Sequence, residues 1–160
     1  MEVRFARREE LEGINELRRA VHTLHAEGRP DVFPSTVSAE LSECVYEAFD
    51  SKEMGVIAAL SGGEVWGYAV VEYTEKPASP YTLPMGYYHV AELGVDEHRR
   101  RQGVARALMD FMKEDAVRRG FPRIELDLWE FNRDALKFYE AAGFSTYRRH
   151  MELWLEEEKS

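Results

Sequence analysis

Apolar residues recur along this chain in two rhythms, one of three and four residues and one of two, and the alternation between them sets the expected elements. Leu11, Ile14, Leu17, Val21 and Leu24 form the stripe of a helix over residues 9–26, which Gly28-Arg29-Pro30 ends. Ahead of it, Val3 to Ala6 predicts a short strand. Leu41, Val45 and Phe49 predict a second helix from Ser38 to Asp50, with Ser38 as its N-cap. Val56 to Leu60 and Val65 to Tyr73, rich in β-branched and aromatic residues around Ser61-Gly62-Gly63, predict a β-hairpin. Lys76 to Pro84 holds three of the six prolines and is expected to be an irregular connection.

The second half repeats the contrast. Tyr87 to Val95 predicts a strand. Gly103 to Arg119, with Val104, Leu108, Phe111, Met112 and Ala116 on one face, predicts a helix stopped at Gly120. Arg123 to Trp129 predicts another strand, Arg133 to Ala142 a short helix ended by Gly143, and Phe144 to Leu155 a final strand. The order β-α-α-β-β-β-α-β-α-β, without internal repeat or linker, predicts one α/β layered domain over residues 1–160.

Composition supports a packed domain: 44% of the 160 residues are apolar, enough for one core. The formal charge of −9 argues against nonspecific nucleic-acid binding and against docking on anionic lipid. The excess acid is unevenly placed. Residues 1–98 carry 18 acidic against 8 basic side chains, whereas residues 99–160 carry 12 against 13, beginning with Arg99-Arg100-Arg101. An anionic ligand beside that basic cluster and a cationic one beside the N-terminal part would suit this field; solvated surface on both sides would produce it equally well. The lone Cys44 can form neither an internal disulfide nor a cysteine metal cluster, no apolar run approaches a membrane span, and the start lacks the apolar stretch of a secretory signal. A cytoplasmic domain without membrane contact is expected.

The chemistry concentrates where the strand of Tyr87–Val95 gives way to the next helix, through Arg100-Arg101-Gln102-Gly103-Val104-Ala105. A glycine followed by small residues at a helix start admits a ligand close to the backbone, and the orphan N–H groups favour phosphate. Neither the Walker loop nor the dinucleotide fingerprint matches here. Arg100-x-x-Gly103-x-Ala105 instead resembles the (Gln/Arg)-x-x-Gly-x-(Gly/Ala) loop of the GNAT acyltransferases. A second block, Asn132 to Phe144, is similar to that family's N-x-x-A-x-x-F-Y-x-x-x-G-F segment, and it lies downstream in the right order.

The resemblance implies a mixed, mostly antiparallel sheet with a V-shaped splay, and acetyl-CoA lying where the Tyr87–Val95 and Arg123–Trp129 strands part. It implies that amides of Arg101, Gln102, Gly103, Val104 and Ala105 wrap the pyrophosphate with the Arg100 side chain close by. It also implies that Leu93, Gly94 and Val95 offer backbone groups to the pantetheine arm and that Asn132 bonds to the cofactor from the far side. Asn132 is equally placed to cap the helix that follows it. No metal is expected.

Acyl transfer to an amine needs a base, an oxyanion site and a proton for the departing thiolate. Glu92 is the first candidate base, with His89 and Glu130 as alternatives and a simple pairing of Glu92 with an arginine as the competing reading. Strand alternation puts His89 and Glu92 on opposite faces unless a bulge intervenes. Tyr139 matches the family's general acid; otherwise it is a core aromatic with its hydroxyl capping a backbone group. A backbone N–H among Leu93 to Val95 would hold the oxyanion.

Other residues attract plainer readings. His22 and His25 have metal-pair spacing but no third ligand; Cys44 reads as buried packing; Trp66, Trp129 and Trp154 read as core or interface, with Trp129 also near the splay. Arg29-Pro30-Asp31-Val32-Phe33-Pro34 is a stiff run suited to hold Asp31 and Phe33 as the rim of an acceptor site, where Phe33 would combine with carboxylates such as Asp31, Glu92 or Glu130. A small cationic amine is the expected acceptor, with a protein N-terminus or lysine as the alternative, and a non-catalytic acyl-CoA sensor as the rival class. The final strand could pair across a homodimer.

Overall fold

The computed structural model describes residues 1–156. Its strands are β1 (Glu2–Phe5), β2 (Met54–Ser61), β3 (Glu64–Lys76), β4 (Met85–Val95) and β5 (Ile124–Leu126); its helices are α1 (Leu11–Gly28), α2 (Ala39–Asp50), α3 (Val104–Arg118) and α4 (Arg133–Ala141). The sheet order is β1-β2-β3-β4-β5, antiparallel throughout except for the parallel pairing of β4 with β5. A parallel neighbour cannot follow by a tight turn, and α3 supplies the crossover.

Residues of β2 and β3 are buried on both faces, which explains why Val56 to Leu60 and Tyr68 to Val71 read as unbroken apolar runs rather than alternations. On one face Ile57, Ala59, Ala69, Val71, Tyr88 and Val90 pack under Val104, Leu108, Met109, Met112 and Ala116 of α3. On the other, Val56, Ala58, Leu60, Tyr68 and Val70 pack under Leu11 and Ile14 of α1 and Val45 and Ala48 of α2. Removing the fully buried Leu108 side chain would cost about 2–5 kcal/mol, since the helix touching the sheet leaves little room to collapse. Ser38 caps α2 as expected, its hydroxyl accepting from the Leu41 amide at 3.3 Å.

Several expectations need correction. The strand expected over Arg123–Trp129 is only three residues long, because Asp127 already turns a fully solvated side chain outward. Phe144 to Leu155 forms no strand. A three-residue β5 offers almost no ladder to pair with, so the segment is tied by side chains instead: the Tyr147 hydroxyl bonds to Glu125, and Glu152 pairs with Arg29 at 2.9 Å. Trp154 is accordingly exposed rather than in the core. Cys44 is exposed as well, because it sits one residue, about 100° around the helix, from the buried Val45. Leu24 lies at the exposed end of its stripe.

Candidate active site

Strand β4 carries the site, and an irregularity in its pairing decides which way its side chains point. Val71 pairs with Val90 and Val70 pairs with Glu92, so Ala91 is an extra residue with no partner on β3. This bulge shifts the parity of everything after it. His89, opposite Glu72, and Glu92, opposite Val70, therefore share the face covered by α1, where uninterrupted alternation would separate them. The bulge also marks the point of the splay. β5 pairs only with Tyr88, His89 and Val90, so the β4 edge from Ala91 through Leu93, Gly94 and Val95 has no strand partner on that side among the described residues.

Directly after β4 the chain turns through Glu97–Arg99 into the loop 100–103. Two of its residues adopt left-handed backbone: Arg101 at φ 62° and Gly103 at φ 79°. Such a conformation costs an ordinary residue about 1–2 kcal/mol, so the Arg101 strain is retained while glycine relieves it two residues later. The first helical bond of α3 runs from the Ala107 amide to the Gly103 carbonyl at 3.0 Å. The amides of Arg101, Gln102, Gly103, Val104 and Ala105 donate to no group among the described residues. Arg100, Arg101, Gln102 and Gly103 are exposed, and a Cβ on Gly103 would meet nothing of the protein within 4 Å. Five unpaired donors around open space, at the positive end of a helix, fit a pyrophosphate.

Across the splay stands α4. Asn132 caps it, its Oδ1 accepting from the Ala135 amide at 3.3 Å, which leaves its amide nitrogen without a protein partner among the described residues. Tyr139 lies edge-on to Phe138 and Phe144, at ring separations of 5.3 and 5.5 Å. Among the described residues its hydroxyl caps no backbone group, and burial pushes its pKa up to about 12.

Glu92 is held by three donors. Arg18 on α1 forks onto it, Nε to Oε2 at 2.8 Å and Nη2 to Oε1 at 2.9 Å, and the Tyr68 hydroxyl donates to Oε2 at 3.1 Å. The Arg18 side chain is only 5% exposed; burial opposes its charge, but the Glu92 carboxylate outweighs that and drives its pKa upward. Its remaining nitrogen, Nη1, bonds to Asn15 Oδ1 at 3.0 Å and to the Leu41 carbonyl. Tyr68 is pushed well above the usual phenol range, first by burial and then by the Glu92 charge, with Tyr139 close enough to add to it. The arginine pairing weighed for Glu92 is thus real. Arg18, Asn15 and Tyr68 are the residues the pattern reading missed. Asn15 and Arg18 fall at stripe positions of the helix beginning Leu11-x-x-Ile14, and polar groups at core positions are the signal that marks them.

The rim residues are also placed. Phe33 stacks on His25 at 5.2 Å and stands edge-on to Trp129 at 5.4 Å, joining the α1–α2 connection to the β5–α4 connection. Asp31 is taken up by a fork from Arg29, at 2.9 and 2.7 Å. His22 bonds to the Pro34 carbonyl at 2.8 Å and His25 is stacked, so this pair fastens the connection. His89 Nε2 stands 4.0 Å from Asp127, and Glu130 is exposed on the far connection.

A bulged strand, a parallel neighbour that parts from it and a glycine-led helix between them define the architecture of an acyltransferase domain. The model of the Acetyltransferase (GNAT) family matches residues 18–144, and the chain belongs to that family. A mycothiol acetyltransferase of Jonesia denitrificans is 32% identical over 82 residues, 51% of this chain but 25% of that protein. The chain thus matches about a quarter of the length of that curated relative. Among solved structures, a mutant of the BH1408 protein from Bacillus halodurans superposes with a TM-score of 0.93 at 25% identity, over 98% of this chain and all of that one. The aminoglycoside acetyltransferase AAC(6')-Iy, in complex with a bisubstrate analogue, shares the fold with a TM-score of 0.75 at 16% identity, covering 97% of each chain.

Proposed function

We propose that this protein is a cytoplasmic N-acetyltransferase that moves the acetyl group of acetyl-CoA to a small cationic amine within a ternary complex. The observation that carries the reading is unpaired backbone at two nearby stretches of the chain, the free β4 edge at Leu93–Val95 and the free amides of Arg101–Ala105. Acetyl-CoA, when bound, supplies the acetyl group as an activated thioester. Arg100 and the loop amides hold its phosphates, Leu93 to Val95 bind its arm as an added strand, and the free Asn132 nitrogen donates from the opposite side.

The residues divide the proton transfers between them. Glu92 accepts the proton of the attacking ammonium through the outward side of its carboxylate, directly or by way of water, and His89 and Glu130 are the remaining acceptors within the splay. A backbone N–H among Leu93 to Val95 faces the developing oxyanion. Tyr139 donates its phenolic proton to the departing thiolate sulfur. With a pKa near 12 against about 8.5 for a simple thiol, the phenol stays protonated at working pH, and as the weaker acid of the two it hands its proton to the thiolate in an uphill step. The acceptor cation is met by the acidic field of residues 1–98, beside the rim that Phe33 and Trp129 form.

A dimer is part of the proposal. Tyr147, Met151, Leu153, Trp154 and Leu155 leave an extended apolar segment exposed, which a second copy would cover. Light scattering at micromolar concentration is expected to give twice the 18.6 kDa chain mass; a monomeric mass overturns it.

The test of the whole reading is release of free thiol from acetyl-CoA across polyamines, amino acids, aminoglycosides and short peptides, with Tyr139→Phe as control. Release that needs one small-amine class and falls in the variant supports the reading. Release with peptides alone moves the acceptor to proteins. Binding without release from any acceptor replaces the enzyme with an acyl-CoA sensor.

A further inference from the structure

The buried arginine beneath Glu92 does more than neutralise it. Arg18 uses all three nitrogens: two fork onto Glu92, and the third reaches Asn15 and the Leu41 carbonyl. Asn15 in turn donates to the Ser42 carbonyl at 3.0 Å. Leu41 and Ser42 belong to the first turn of α2, and Arg18 and Asn15 to the body of α1, so one network ties the two helices that flank the connection carrying Asp31 and Phe33 to the carboxylate on β4. The bulge at Ala91 is what turns Glu92 into reach of this guanidinium.

We propose that Arg18 is a positioning residue for the acceptor half of the reaction: its planar fork fixes the Glu92 carboxylate in one orientation and registers the acceptor-side connection against it. The inference rests on the reading of Glu92 as the proton acceptor. A glutamate carboxylate on a strand rotates about three side-chain torsions, and a bidentate partner restricts them together while leaving the Glu92 side chain 31% exposed to an incoming amine. A lysine at this position retains charge but has no fork, so geometry and charge separate cleanly in a substitution. Tyr68, whose single bond to Oε2 steadies one oxygen only, holds the lesser share.

The experiment is a double-mutant cycle in the full chain on kcat, KM for the amine and Kd for acetyl-CoA, using Arg18→Lys, Glu92→Gln and the pair, with Tyr68→Phe as a second and milder probe. Thermal unfolding identifies the variants that remain folded. Arg18→Lys is expected to lower kcat about tenfold and raise the amine KM, with acetyl-CoA Kd within twofold of wild type. Glu92→Gln lowers kcat about a hundredfold, and adding Arg18→Lys to it lowers kcat no further. Tyr68→Phe lowers kcat about two- to threefold by the same route. A folded Arg18→Lys with wild-type kcat, or losses that multiply in the double variant, overturns the positioning role while leaving Glu92 as the base. Wild-type kcat in Glu92→Gln overturns instead the reading of Glu92 on which the role depends. Should Arg18→Lys fail to fold, additive losses in Tyr68→Phe with Glu92→Gln overturn the proposal, and non-additive losses support it.

Discussion

The two sides of the splay are built on opposite principles. On the cofactor side, residues 100–105 are contiguous, mostly exposed and rich in unpaired amides, and their geometry follows from two left-handed residues and a helix start. On the acceptor side, Arg18, Asn15, Tyr68 and Glu92 come from three distant parts of the chain, are largely buried and satisfy one another. On the proposed function the first would dock a constant, highly charged ligand, for which backbone suffices. On the same proposal the second would hold a reacting carboxylate in one orientation, and it is built of packed side chains whose partners fix each other.

The largest expected effect comes from the residue bridging both sides. Tyr139→Phe removes a proton and almost no surface, so kcat is expected to fall about 100- to 1,000-fold while the acetyl-CoA Kd stays within twofold. Steady-state thiol release and calorimetry check the two halves; a parallel loss of affinity would make Tyr139 a wall of the binding site instead. Next comes Gly103→Val, which places a branched side chain at φ 79° and over the unpaired amides. It is expected to weaken acetyl-CoA binding about 10- to 100-fold with little change in kcat at saturation, sharpening the contrast with the Arg18 and Glu92 variants.

Smaller again is Asn132→Ala. Loss of the bond to the Ala135 amide is expected to lower stability by about 1 kcal/mol, with a few-fold loss of cofactor affinity from the missing amide nitrogen. Denaturant unfolding and calorimetry separate the two. The smallest effect is an absence. Because burial holds the Tyr139 pKa near 12, above its unfolded value of about 10, its contribution to stability is complete below about pH 10 and fades only as pH rises through 12. The rate therefore shows no descending limb from this phenol between about pH 8 and 10. A limb in that range that disappears in Tyr139→Phe would contradict the assignment.

How much of this was legible in the sequence follows the same division. The loop 100–105, the cap at Asn132 and the Phe138-Tyr139 pair are local, so their resemblance to the family's two motifs could single them out, and the stripes of α1, α2 and α3 located the layers. Glu92 was visible as a residue, but its facing was not, because a single unpaired Ala91 reverses the parity and no local signal announces it. Arg18 occupies a core position of its stripe, but a pattern read from apolar residues alone passes over it. The final strand misled for a related reason: Tyr147 to Leu155 has the composition of a strand, but β5 is too short to template it, and pairing depends on the neighbour as well as on the segment.

The central claim is that acetyl-CoA occupies the two unpaired stretches of backbone, at the β4 edge and at the start of α3. Its most direct test is an amide-resolved NMR titration of the protein with acetyl-CoA. The account predicts the largest shifts, with protection from exchange, at Leu93 to Val95 and Arg101 to Ala105, and smaller ones at Asn132 and Tyr139. Saturable binding that leaves these amides unmoved, with shifts clustered elsewhere on the sheet, would contradict it.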